Sequence, residues 1–135
     1  MKKFISSVLL VGSIIGVTAG VAHADSSSRW QRYLPKASAA ISRVEGDMQA
    51  AAATGGEETA LQVACATWKV DLDDTRGTVT HSPSKGLNRI LRQAWATYGQ
   101  AADLCTTGSF EVAAPLIQNG NALVTQATAK VKALV

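Results

Sequence analysis

Histidine and cysteine are scarce in this chain, and the scarcity narrows its chemistry. Of 135 residues, two are histidines and two are cysteines. His23 lies in an N-terminal segment that reads as removable, which leaves His81 alone. A zinc site or a haem site with two histidine ligands within one chain is thereby excluded. His81 stays open as a single axial ligand beside the simpler reading of a solvated loop histidine. Nucleophilic catalysis needs an activated nucleophile, a base and an orienter, and only one histidine is there to serve the many serines and threonines. The G-x-S-x-G turn and the phosphate-binding glycine loop are both missing. The chain therefore reads as non-enzymatic, with no cofactor.

Other absences bear on architecture. The period-two alternation of half-buried strands is lacking. No stretch beyond residue 24 is long and apolar enough to span a bilayer. Asp71, Asp73 and Asp74 form the densest acidic cluster, but an EF-hand frame counted from Asp71 has Arg76 where glycine is needed and Ser82 where glutamate is needed.

The N-terminus carries the clearest signal. Met1, Lys2 and Lys3 precede an apolar run from Phe4 to Val21 and an Ala22-His23-Ala24 ending. A basic start, an apolar middle and an A-x-A ending make a secretory signal peptide, cleaved after Ala24. Residues 25–135 then form one domain. The net charge of +3 falls to +1, because Lys2 and Lys3 leave with the signal. Nucleic acid is not an expected partner of so balanced a chain.

Secretion also decides the cysteines. Outside the cytosol, two thiols in one small domain pair, so Cys65 and Cys105 are expected to form a disulfide. Leu61, Cys65, Trp68, Leu72 and Thr75 recur at fours and threes. So do Leu87, Leu91, Ala94, Tyr98, Ala101 and Cys105. This is the spacing of one helix face. Cys65 lies early in its helix and Cys105 late in the next, as an antiparallel hairpin requires.

Two further stripes complete the pattern. The first helix begins near Leu34 or Pro35 and runs through Ala37, Ile41, Val44, Met48 and Ala51 to Thr54-Gly55-Gly56. The fourth carries Phe110, Ala113, Ile117, Gly120, Val124, Ala127, Val131 and Leu134, interrupted by Pro115. Gly120 marks a close helix contact. Four stripes give an all-α, up-down-up-down four-helix bundle, with one disulfide stapling helices 2 and 3. A helix end at Thr75 and a start near Ser84, with Ser82 as N-cap, leave the two hairpin arms unequal by about 16 Å. The segment Arg76–Pro83 is thus expected to run extended along the hairpin.

Charge runs in blocks. Arg29, Arg32, Lys36 and Arg43 are basic, Glu45 through Asp74 is mostly acidic, and Arg76, Lys85, Arg89 and Arg92 are basic again. Arg76, His81, Arg89 and Arg92 are expected to border a surface for an anionic partner. The competing reading pairs Arg76, Arg89 and Arg92 with Asp71, Asp73 and Asp74. Trp68 reads as core, Trp95 as the seal of a second helix contact, and Trp30 as a cap over the bundle end or a docking residue.

In its signal peptide, alanine-rich helices and single cysteine pair, the chain resembles small uncharacterised secreted helical proteins of actinobacteria. That resemblance implies no activity. The reading is a secreted, non-enzymatic interaction protein that binds another protein or an envelope component. The alternative is a small carrier of an apolar, lipid-like ligand between the helices.

Overall fold

The computed structural model describes residues 27–134, so the signal-peptide reading of residues 1–24 lies outside the described residues. Four helices follow one another: α1 (Ser27–Ala52), α2 (Glu58–Val79), α3 (Lys85–Thr106) and α4 (Phe110–Leu134). Helices adjacent in sequence pack closely, α1 on α2, α2 on α3 and α3 on α4. The result is the expected bundle.

Local chemistry sets each boundary. Gly55 and Gly56 have φ of 69° and 86°, a conformation glycine takes readily, and end α1. The side chain of Glu57 caps α2 by accepting from the backbone N–H groups of Thr59 and Ala60. At the end of α3, Ser109 N donates to Leu104 O and Gly108 N to Cys105 O. These are the paired bonds of a Schellman motif around Gly108, whose φ is 87°.

The stripes are the core. Every stripe residue read from the sequence is buried except Leu134, which is 45% exposed in the last turn, where no further helix covers it. Trp68, Trp95 and Tyr98 are fully buried in the centre, with ring centroids 5.5 Å apart for Trp68–Tyr98 and 6.0 Å for Trp95–Tyr98. Trp95 Nε1 donates to Thr75 Oγ1 at 3.0 Å, which ties α3 to α2. Cys65 and Cys105 are bonded and fully buried, with Cα atoms 5.9 Å apart.

Three expected boundaries move. First, α1 starts at Ser27, because the stripe extends backwards through Tyr33 and Trp30, which are 7% and 5% exposed. Pro35 lies inside the helix on its exposed side. Trp30 is part of the core, edge-on to Tyr33 with centroids 5.8 Å apart. Second, α2 continues to Val79, whose burial outweighs the weak helix preference of Gly77, Thr78 and Val79. The connector is short, not an extended Arg76–Pro83 segment. With the longer α2, the arms differ by six residues, about 9 Å, which Thr80–Ser84 covers. Third, the N-cap of α3 is Ser84, whose side chain accepts from Leu87 N. Ser82 is instead buried and pinned to Asn88: its N–H donates to Asn88 Oδ1 at 2.7 Å, and Asn88 Nδ2 donates to its carbonyl at 3.0 Å.

Candidate functional site

At the end where α1 begins and α2 finishes lies a cleft of about 430 Å³. Arg29, Arg32, Tyr33 and Lys36 of α1 line one side. Gly77, Thr78, His81 and Pro83, from the end of α2 and the connector, line the other. Arg29, Arg32 and Lys36 are spaced by three and four, so the helix places all three cations on one face. They are exposed, and among the described residues no ion pair involves any of them. Among the described residues, no acid lines the cleft.

Backbone groups nearby are arranged to suit a negative charge. A helix C-terminus normally presents free carbonyl oxygens that repel anions. Here Arg76 O accepts from Thr80 N at 3.1 Å and Thr80 Oγ1 at 2.7 Å. Gly77 O accepts from His81 Nδ1–H at 2.6 Å. Val79 O accepts from the Tyr33 hydroxyl at 2.7 Å. Burial pushes the Tyr33 hydroxyl well above its ordinary range, so it stays a neutral donor. The His81 bond places a proton on Nδ1.

The bundle topology extends this polarity. The starts of α1 and α3 share one end with the finishes of α2 and α4. The Lys130 side chain accordingly reaches Gly86, and Tyr33 reaches Val79. Arg29, Arg32, Lys36, Arg76, Lys85, Lys130 and Lys132 fall in the turns at or near this end. Glu57, Glu58, Asp103 and Glu111 fall at the other. Asp71, Asp73 and Asp74 also lie toward the basic end, where Arg43 pairs with Asp71 and Asp74, so cations outnumber acids there without excluding them.

Of the four sequence-predicted surface residues, His81 lines the cleft. Arg76, Arg89 and Arg92 are exposed and lie outside its lining. The cations that face His81 come from α1, and a helix start at Pro35 hid their common face.

The competing ion-pair reading has a different base. Arg43 of α1 bonds the carboxylate of Asp71 and reaches Asp74 Oδ2 at 3.3 Å. None of Arg76, Arg89 and Arg92 takes that place among the described ion pairs. Beside it, the Asp47 carboxyl is pushed up to about 7, first by burial and then by the hydrogen bond and charge of Asp71. That hydrogen bond, against the opposing effect of burial and with help from Arg43, holds Asp71 below the usual carboxylate range. Asp47 Oδ2 is buried without a hydrogen-bond partner among the described residues, so the seam favours the protonated carboxyl there.

A second half-buried acid, Glu45, faces Ile41, Val44, Met48, Trp95, Tyr98 and Val124 between α1, α3 and α4. Its Oε1 is buried without a partner, and burial raises its pKa. The void between these residues does not admit a water molecule. In this conformation the seam has no room for an apolar ligand. Among the described residues, no group of three or more His, Cys, Asp or Glu side chains is placed to hold a metal ion, and no helix is long and apolar enough to cross a membrane.

No protein-family model matches the chain, and no significantly similar curated protein or solved structure was found.

Proposed function

We propose that this is a secreted, non-enzymatic binding protein that docks on an anionic component of the cell envelope or of the extracellular space through the basic end of its bundle. The single observation that carries the reading is the cleft, where three cations and an imidazole converge with no acid among them. Like charges on one helix face destabilise it by a few tenths of a kcal/mol per pair. An anionic partner turns that penalty into attraction. Cations without an ion-pair partner among the described residues also raise the rate of encounter with a negative surface.

The disulfide and the absence of a membrane-spanning helix among the described residues are compatible with an extracellular protein. The Ala22-His23-Ala24 ending supports release by cleavage.

The test is retention on matched anionic and neutral matrices. Wild type is retained on the anionic matrix alone and elutes with salt. The triple variant Arg29→Gln/Arg32→Gln/Lys36→Gln flows through with its melting temperature unchanged or slightly raised. Equal retention of the variant and the wild type refutes the proposal.

A further inference from the structure

Resting on this anion-binding reading, we infer that the cleft is a site for a tetrahedral dianion, a phosphate monoester, whose organic substituent lies against Pro83 and the exposed edge of Tyr33. Charge sets the first part. Arg29, Arg32 and Lys36 supply three full positive charges, and nothing in the lining offsets them. A monoanion would leave two cations crowded and uncompensated, whereas a dianion neutralises most of the set. Donor chemistry agrees. Two guanidinium groups offer planar forks that match paired oxygens, and Lys36 adds a third donor group that tolerates varied geometry.

Size sets the second part. About 430 Å³ is within the range of small-molecule sites and exceeds the needs of a bare oxyanion. The remaining wall is Tyr33, Gly77, Thr78, His81 and Pro83, which apart from the His81 imidazole carries no charged side chain. The Tyr33 hydroxyl is committed to Val79 O and the ring is nearly buried, so the residue offers a narrow apolar edge and no free polar tip. The polar and apolar parts of the cleft therefore suit the two parts of an ester.

A phospholipid headgroup and a soluble ester share this chemistry. Calorimetric titration at constant ionic strength tests it with phenyl phosphate, a dianion at pH 8, against benzenesulfonate, a monoanion with the same ring. Phenyl phosphate is expected to bind at least about tenfold more tightly, a difference of about 1.4 kcal/mol. The affinity is expected to fall about tenfold or more in Arg29→Gln/Arg32→Gln, whose exposed positions leave the helical signal unchanged and the melting temperature unchanged or slightly raised.

Equal affinities for the two probes, both lost in the double variant, overturn the dianion inference and leave the anion-binding reading standing. No binding of either probe, or binding that the double variant retains, overturns both. Two further arms identify the source. Binding of glycerol phosphate without retention on phosphatidic acid vesicles supports a soluble ester. Retention on phosphatidic acid vesicles and not on phosphatidylcholine vesicles supports a headgroup.

Discussion

The ring of Tyr98 occupies the space that a side chain at position 120 would need. A Cβ built on Gly120 falls 2.4 Å from Tyr98 Cε1 and 2.5 Å from Cδ1. The ring has no room to move, since it is fully buried against Trp68 and Trp95, and its hydroxyl donates to Asn121 Oδ1 at 2.7 Å. Gly120→Ala gains about 1 kcal/mol of helix preference, and overpacking a rigid core outweighs it. The variant is expected to lose about 1–2 kcal/mol of stability in urea unfolding. Gly46→Ala, where nothing lies within 4 Å, is expected to gain about 0.5–1 kcal/mol.

Replacing both Cys65 and Cys105 by serine removes a cross-link that spans 40 residues of sequence. The chain-entropy model gives a loss of about 4 kcal/mol. The helical circular-dichroism signal should persist at low temperature, because the stripes remain. Rapid labelling of both thiols in the native protein is the result that removes the staple from the fold.

Protonation of Asp47 gives stability a definite slope with pH. Its folded pKa of about 7 lies above the unfolded carboxylate value, so the native state binds more protons in that window. The contribution is full below about pH 4 and is lost as pH rises toward about 7. Asp71 has the opposite sign, because its pKa is lowered: its contribution is present above about pH 4 and is lost as pH falls further. Asp47→Asn, whose amide does not titrate, is expected to flatten the slope between pH 4 and 7. At pH 8 it should gain about 1–2 kcal/mol, an allowance already reduced for solvent screening. Chemical denaturation at stepped pH reads both effects.

Tyr33→Phe separates the cleft wall from the core. It leaves the buried carbonyl of Val79 without its side-chain donor, and is expected to destabilise the protein by about 1–2 kcal/mol. Val79 is buried and outside the cleft lining, and phenylalanine keeps the ring, so phenyl phosphate affinity in the same variant is expected to hold.

The stripes were legible because burial follows the 3.6-residue period, and apolar residues at threes and fours had no other explanation. The boundaries were less legible where burial and local preference disagree. Gly77-Thr78-Val79 looks like a helix end in isolation, yet Val79 is fully buried and holds the last turn. Pro35 looks like a first-turn proline, yet Trp30 and Tyr33 extend the buried face two turns before it. That second error concealed the site, since Arg29, Arg32 and Lys36 share a face only if the helix already exists there. The spacing of three and four among them was the available signal. The partner of Asp71 was hidden for another reason: Arg43 lies 28 residues away, and only the α1–α2 pairing brings it near.

The disulfide closes α2 and α3 at the end opposite the connector, so the two helices and the connector form one covalent macrocycle. Helices α1 and α4 are appended arms, each joined to that ring by one backbone connection and kept against it by non-covalent packing. When the molecule breathes, the arms can peel away while the ring keeps its loop closure. The cleft is split across this divide, with Arg29, Arg32, Tyr33 and Lys36 on an arm and Gly77, Thr78, His81 and Pro83 on the ring. It exists only while α1 is docked. An occupant that bridges the two halves therefore acts as a latch on the first helix, slowing amide exchange along α1 by the factor 1 + [L]/Kd.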